Sequence, residues 1–191
     1  MLFRSCRPVA VADLADVYAV TEQGIDVMFY GGMQIDRFGS VNTHYVHTPR
    51  GRLRGPGMAN TMLGHTARRT LLYTERHEPR TLVDEVEFAS VVGHARRGRT
   101  RAELGLGGAG PVALFTPEMV LRPDATGCLQ PATSLGDRPW AETIAAIGWS
   151  VDATPVERLT PDPEEIELLR AFVDPAGLLR GRGRSTGSAH C

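Results

Sequence analysis

Short apolar runs alternate with segments of helical periodicity along this chain. Residues 11–23 carry apolar side chains at helical spacing and end before Gly24, which predicts a helix with a glycine at its C-terminal end. Residues 27–30, 70–73 and 112–115 are short apolar runs, which predict buried strands. Strands that alternate with short helices indicate a layered α/β domain.

Weaker patterns divide the rest of the chain. They predict a strand at 43–47, a loop at 49–57, a helix at 58–67, a strand or turn at 81–88, a basic loop at 96–101, a hairpin at 119–129 and a helix at 140–147. A last helix begins at Asp162 and Pro163, with Glu165 in a capping box, and ends at Asp174. We expect one domain over residues 9–178 and a disordered Arg/Gly/Ser tail over 179–191.

The stretch 31–42 combines two glycines with polar side chains after an apolar strand. Gly31 and Gly32 allow tight turns or close approach of a ligand, and Gln34, Asp36 and Asn42 supply two amides and a carboxylate. Ligands of open α/β sheets bind outside the carboxyl ends of the strands. The stretch is therefore a candidate binding loop, and the alternative is a polar turn whose side chains bond to its own backbone.

Composition removes several classes of function. The 191 residues are 42% apolar with a net charge of −1, which argues against nucleic acid as a partner. Every basic residue is arginine, so lysine nucleophiles and Schiff bases are excluded. Three scattered cysteines without a Cys-x-x-Cys motif predict neither a disulfide scaffold nor a zinc site. With no signal peptide or long apolar run, we expect a soluble cytoplasmic protein without membrane contact.

Two histidine-containing pairs are candidates for chemistry. His44 and His47 lie three residues apart on a predicted strand and so point to opposite faces, which argues against a shared metal ion. Glu75 and His77 follow a predicted strand and are a candidate acid–base pair, with a solvated loop as the alternative.

Arginines and glycines mark a possible anion site. Arg50, Arg52 and Arg54, with the arginines of 96–101, would suit the phosphates of a nucleotide-like ligand, and the alternative is an exposed basic rim. The turn Gly55-Pro56-Gly57 before a predicted helix presents free N–H groups to an anion.

The stretch Gly32-Met-Gln-Ile-Asp-Arg-Phe-Gly-Ser-Val-Asn42 resembles the G-x-Q-I-D-x-x-G-N-V-N signature of the β subunits of family I CoA-transferases, the glutaconate CoA-transferase type. Further segments resemble that family in the same order: 24–29, the glycine loop 55–59, 107–111 before a strand, and 160–166. The resemblance covers residues 13–178.

The resemblance implies a layered α/β/α sheet and a site shared with an α subunit. In this family a glutamate attacks an acyl-CoA and forms a glutamyl-CoA thioester, while glycine-loop N–H groups stabilise the oxyanion. Coenzyme A is then a substrate, a carboxylate is the acceptor, and neither a cofactor nor a metal is implied. The resemblance places substrate and CoA binding at Gly31, Gly32, Gln34, Asp36, Asn42, Gly55, Gly57 and Met58.

The sequence departs from the family pattern at several positions. The motif of the nucleophile, Glu-Asn-Gly or Glu-Ser-Gly, belongs before the first predicted helix, and neither tripeptide occurs in the sequence. The catalytic residue is therefore unknown, and we expect the N-terminal part to be missing. Ser40 replaces an asparagine and Met58 a glycine. Glu75, Glu78 and Glu118 match no family motif, and none is assigned as the nucleophile.

Three interpretations remain open. The chain is a β subunit of a heteromeric CoA-transferase, a β-type subunit of a CoA-thioester ring-opening hydrolase whose partner carries the glutamate, or a non-catalytic scaffold subunit. Without the first strands of the family, we expect the chain alone to expose a sheet edge and an apolar face.

Overall fold

The structure is a computed structural model that describes residues 11, 13–58 and 61–177. It divides after Arg158 into two compact units. The predicted domain limits at residues 9 and 178, and the predicted tail, lie outside the described residues.

The described elements follow one another in a mixed α/β order. The strands are β1 (Val27–Gly31), β2 (Gln34–Asp36), β3 (Val41–Asn42), β4 (Tyr45–Thr48), β5 (Gly51–Arg54), β6 (Arg69–Tyr73), β7 (Leu82–Val83), β8 (Ala95–Arg96), β9 (Arg99–Thr100), β10 (Pro111–Phe115), β11 (Met119–Pro123) and β12 (Leu129–Ser134). The helices are α1 (Leu14–Glu22), α2 (Thr61–Thr66), α3 (Trp140–Ala145) and α4 (Pro163–Leu168), and α4 continues as a π-helical turn, Leu169–Val173.

The main sheet has the strand order β1-β6-β10-β11-β12. Strands β1, β6 and β10 are parallel, so their carboxyl ends meet at one edge of the sheet. Strands β10, β11 and β12 are antiparallel neighbours. The predicted hairpin is confirmed: its turn is held by Asp124, whose carboxylate accepts from the N–H groups of Thr126 and Cys128.

One face of the main sheet packs on the smaller sheet β3-β2-β7 and on the segment after α3. The contact is made by fully or nearly buried apolar side chains: Tyr30, Ile35, Val41, Leu72, Leu82, Val91, Leu114, Met119, Leu121, Leu129, Ile147 and Trp149. This core fixes the carboxyl ends of β1 and β6 against the turn that follows β1.

The opposite face is partly uncovered around the edge strand β1. Phe29 is 67% exposed, Tyr73 49% and Phe115 37%. The parallel register pairs Phe29 with Leu71 and Tyr73 with Phe115, so these side chains share that face. Within the described residues, the chain therefore exposes an apolar face beside a sheet edge, as expected.

The structure corrects three local predictions. The predicted loop 31–42 contains the antiparallel strands β2 and β3, and the predicted loop 49–57 contains β5, which pairs with β4. The basic loop 96–101 contains β9, which pairs with β8. In each case two short antiparallel strands pair through their backbones, although the sequence does not alternate between apolar and polar residues.

The helix predictions are confirmed with shifted ends. Helix α1 begins after Asp13, which forms a capping box with Asp16, and α2 and α3 lie inside their predicted ranges. At α4 the Asp162 carboxylate accepts from the N–H of Glu164, so Glu165 does not complete a capping box as predicted. Among the described residues, no helix is long and apolar enough to cross a membrane.

Candidate functional site

A cavity of about 650 Å³ opens at the carboxyl ends of β1 and β6. This is the position at which open α/β sheets bind ligands. The turn after β1, the segment after β6, and the β4–β5 hairpin form its walls, with these residues: Gly31, Gly32, Met33, Gln34, Val46, His47, Thr48, Leu53, Tyr73, Thr74, Glu75, Arg76, Glu78, Arg80, Thr81, Val83 and Glu87.

Four polar side chains form a continuous hydrogen-bonded relay along one wall. Asn42 donates from Nδ2 to Gln34 Oε1 at 2.9 Å, and Gln34 donates from Nε2 to Glu87 Oε1 at 3.0 Å. Glu87 Oε2 lies 2.7 Å from His47 Nδ1 and accepts from the His47 N–H at 2.9 Å. Asn42 and Gln34 are buried, whereas His47 is exposed. The relay therefore runs from the core to the cavity surface.

The Glu87 carboxylate sets the orientation of the His47 ring. Partial burial works to raise the pKa of Glu87, but the hydrogen bonds from His47 and Gln34 outweigh it and lower that pKa below its usual value. An ionised Glu87 accepts a hydrogen bond from the Nδ1–H of His47, which leaves Nε2 of the ring without a partner among the described residues. The arrangement is a Glu–His pair with a free nitrogen, which is suitable for proton transfer.

Asp36 holds the turn between β2 and β3. Its Oδ1 accepts from the N–H groups of Phe38 at 3.0 Å and Ser40 at 2.8 Å. Burial raises the pKa of Asp36, and the hydrogen bonds from Ser40 and Phe38 offset part of that effect. The side chain is 3% exposed and does not reach the cavity.

The predicted site residues separate into three groups. Gly31, Gly32 and Gln34 line the cavity. Asp36 and Asn42 are buried behind its wall and are committed to hydrogen bonds within the fold. The other three are Gly55, Gly57 and Met58, which lie outside the cavity lining.

The glycine turn before α2 packs against the wall from behind. Gly55 has no room for a side chain, because a Cβ there would lie 2.4 Å from the carbonyl oxygen of Thr43 and 2.7 Å from Met33 Cε. Gly57 donates its N–H to the same carbonyl at 3.0 Å. Met58 is 44% exposed. Gly55 therefore packs against Met33, which does line the cavity.

The two glycines of the wall also make close contacts within the protein. A Cβ at Gly32 would lie 2.4 Å from Val41 Cγ1 and 2.7 Å from the carbonyl oxygen of Asn42. A Cβ at Gly31 would lie 3.0 Å from the carbonyl oxygen of Tyr73. Glycine is thus required at position 32 by the packing of β3.

A cluster of charged groups lies on the wall formed after β6. Glu78 Oε1 accepts from Arg80 Nε at 2.6 Å, and Arg76 is 3.5 Å from the same oxygen. The bond from Arg80 is the main reason that the pKa of Glu78 lies below its usual value. Glu75 lines the cavity beside them and forms no ion pair within the described residues.

The candidate pair of Glu75 and His77 is not formed. His77 is 4% exposed, lies 2.9 Å from Thr116 Oγ1 through Nδ1, and 2.9 Å from the carbonyl oxygen of Thr143 through Nε2. Burial is the main cause that lowers its pKa. His77 is therefore a neutral, structural imidazole outside the cavity, while Glu75 faces the cavity.

Two further imidazoles, His65 and His94, are half-buried near one arginine, Arg101. Burial, reinforced by the charge of Arg101, lowers the pKa of His65. Burial is also the main cause that lowers the pKa of His94, whose Nε2 bonds to the carbonyl oxygen of Pro111. Among the described residues, no group of three His, Cys, Asp or Glu side chains could hold a metal ion.

The sequence did not predict Glu87 as a site residue. It suggested His47 only as a metal ligand, and the spacing from His44 argued against that role. Glu87 lies 53 residues from Gln34 and 40 from His47 in sequence. It falls in a segment with an ambiguous strand pattern, so no local signal connects it to the loop. The amides of Gln34 and Asn42 were found because they lie close together in sequence.

Comparisons with known proteins find relatives among the CoA-transferases. The B-type subunit of 3-oxoadipate CoA-transferase from Pseudomonas knackmussii is 35% identical over 170 residues, which are 85% of this chain and 65% of the relative. The B-type subunit of glutaconate CoA-transferase from Acidaminococcus fermentans is 30% identical over 155 residues, 78% of this chain and 57% of the relative. No protein-family model matches the chain.

A solved structure supports the same grouping. The crystal structure of glutaconate coenzyme A-transferase from Acidaminococcus fermentans superimposes with a TM-score of 0.69 at 25% identity, over 80% of this chain and 60% of that chain. This chain spans less than two thirds of the length of either curated relative.

Proposed function

Because the chain belongs to the B-subunit family of the CoA-transferases, we propose that it forms one wall of a site that moves CoA between carboxylic acids, in a complex with an A-type subunit. The relatives confirm the family predicted from the sequence, and the solved structure confirms the predicted α/β fold class. The observation that carries the proposal is the position of Gly32 and Gln34. They belong to the stretch 32–42 that resembles the family signature, and together with Gly31 they line the cavity at the strand ends.

The proposed substrates are an acyl-CoA and a carboxylate acceptor. The thioester lies in the cavity, where glycine-rich backbone at the end of β1 is suited to a developing oxyanion. Of the carboxylates that line it, Glu78 is held by Arg80 and Glu87 by His47. Neither of these two is free to attack a thioester. Glu75 also lines the cavity and forms no ion pair within the described residues, but it matches no family motif, so we assign the nucleophile to none of the three.

The uncovered apolar face supports the need for a partner. Phe29, Tyr73 and Phe115 expose aromatic rings beside the edge strand β1. A soluble protein rarely leaves such a face in water, and an unpaired strand edge promotes association. We propose that an A-type subunit covers it.

The test is reconstitution. The chain is co-expressed with an A-type subunit, and the purified complex is incubated with an acyl-CoA and a second carboxylate. We expect a new acyl-CoA by chromatography, together with an enzyme thioester that borohydride or hydroxylamine traps. Release of free CoA with no glutamyl adduct on either chain would exclude the transferase.

A second candidate, CoA-thioester hydrolysis, is favoured by one specific observation. His47 Nδ1 is held by Glu87, which leaves Nε2 free to take a proton from water beside the cavity. Hydrolysis would release CoA without an acceptor, and His47→Gln would abolish that release. A complex that forms but catalyses neither reaction would indicate a scaffold subunit.

A further inference from the structure

The β4–β5 hairpin presents two different faces at the mouth of the cavity. The register pairs Tyr45 with Arg54 and Val46 with Leu53. Paired residues of an antiparallel ribbon share a face, and the faces alternate along each strand. Val46 and Leu53 line the cavity from one face. Arg52 and Arg54 lie on the other, outer face together with their partners His47 and Tyr45, and this outer face borders the cavity at His47.

The hairpin carries three arginines without ion-pair partners among the described residues. Arg50 lies in the turn, and Arg52 and Arg54 follow on β5, where all four residues are exposed. Within the described chain, none of these three arginines forms an ion pair, whereas ion pairs do form at Arg37, Arg68, Arg76, Arg80, Arg138 and Arg158. Three like charges on one hairpin repel one another and create a local positive field in a chain of net charge −1.

One of these arginine side chains, Arg52, is held in position by an aromatic ring. The Arg52 guanidinium lies 5.0 Å from the centre of the Tyr45 ring, and that ring is in turn 5.7 Å from Phe88. The acidic group bonded to this ribbon is Glu87, which is already committed to His47. The Arg52 guanidinium group is therefore restrained, and the guanidinium groups of Arg50, Arg52 and Arg54 have no ion-pair partner among the described residues.

We propose that this outer face binds the phosphate groups of coenzyme A while the thioester lies in the cavity, an inference that rests on the proposed CoA function. An acyl-CoA carries its negative charges at the nucleotide end, and an uncharged pantetheine arm connects that end to the thioester. The two faces of the hairpin match this division. Apolar Val46 and Leu53 adjoin the cavity, and Arg50, Arg52 and Arg54 offer forked donors to phosphate oxygens.

The test measures binding of three ligands to the full chain in its complex with an A-type subunit. The ligands are coenzyme A, dephospho-coenzyme A, which lacks the 3′-phosphate, and pantetheine, which carries no phosphate. The double variant Arg52→Gln/Arg54→Gln is compared with Arg122→Gln, because Arg122 is also an exposed arginine on a strand, outside the cavity and without an ion pair among the described residues. Calorimetry gives each Kd.

We expect the double variant to raise the Kd for coenzyme A by about tenfold or more, since each charge-assisted hydrogen bond contributes on that scale. In the double variant the preference for coenzyme A over dephospho-coenzyme A should shrink, while the Kd for pantetheine stays unchanged. The Arg122→Gln variant should bind all three ligands with the Kd values of the wild type. High salt should weaken binding in the wild type more than in the double variant.

Two results would overturn the proposal. If wild-type complex binds coenzyme A and the double variant binds it equally, the hairpin assignment is wrong and the CoA function stands. If the double variant loses pantetheine binding to the same degree, the hairpin shapes the cavity and does not bind phosphate. No binding of coenzyme A by the wild type would instead reject the proposed function itself.

Discussion

Gly32→Ala distinguishes a glycine required by a ligand from one required by the fold. An added Cβ would meet Val41 Cγ1 at 2.4 Å and the carbonyl oxygen of Asn42 at 2.7 Å. Neither neighbour can move easily, because both residues are fully buried and the Asn42 carbonyl accepts from the N–H of Met33 at 2.8 Å. The substitution therefore pushes β3 away from the turn or breaks this bond.

The expected cost follows from these contacts. Overpacking of a tight core costs about 1–3 kcal/mol, and the backbone hydrogen bond adds about 1 kcal/mol if it breaks. We therefore expect roughly 2–4 kcal/mol of lost stability. With a denaturant slope of about 2 kcal/mol per M, the urea midpoint should fall by about 1–2 M.

Fluorescence of the buried Trp149, whose indole N–H bonds to the carbonyl oxygen of Leu129, reports this unfolding. Gly107→Ala is the matched control, because no atom lies within 4 Å of a Cβ placed there and its backbone is not left-handed. We expect the control to change stability by no more than about 0.5 kcal/mol. If Gly32→Ala unfolds at the control's midpoint and only ligand binding weakens, the packing argument is wrong.

Four other predictions test the relay, the buried titratable groups and the exposed face. Glu87→Gln replaces a charged acceptor by a neutral one and so weakens the hydrogen bonds to the His47 amide and ring. It should therefore speed hydrogen exchange of the His47 amide. The lowered pKa of His77 makes the fold lose stability as pH falls below about 6.5, so His77→Gln should flatten the slope of the urea midpoint between about pH 7 and 5. The raised pKa of Asp36 makes its contribution to the free energy of unfolding fall as pH rises above the unfolded pKa of 3.8. The stability of Asp36→Asn relative to that of the wild type should therefore be greater at neutral pH than at about pH 4. Phe29→Ser should keep the lone chain monomeric in size-exclusion chromatography and weaken its co-purification with an A-type subunit.

The main sheet could be predicted because its signals are local. Strands β1, β6 and β10 are apolar runs, and the β11–β12 hairpin has an Asp124 turn, so each element is marked within a few residues. Strand β5 could not be predicted in this way. Its sequence Gly-Arg-Leu-Arg is exposed at every position, and its strand geometry comes from backbone pairing with β4.

The candidate site was predicted in part for the same reason. Gln34 and Asn42 lie eight residues apart, so their partnership falls within one motif. Glu87 joins them only because β7 brings the following segment back beside β2. Long-range pairing of this kind leaves no periodicity or spacing in a single sequence, which is why the carboxylate that orients His47 was missed.

The hydrogen-bond capacity of the family-marking side chains limits what they can do. Asn42 uses both sides of its amide, since Oδ1 accepts from His44 and Tyr45 while Nδ2 donates to Gln34 and to the Tyr45 carbonyl. Asp36 is likewise committed to its own turn. These groups cannot also hold a substrate, so they act by fixing the wall. Recognition then falls to groups with unused donors or lone pairs, namely His47 Nε2 and the hairpin arginines. Alanine substitutions of Asp36 or Asn42 should therefore reduce stability and activity together, whereas His47→Gln and Arg52→Gln should reduce activity or binding alone.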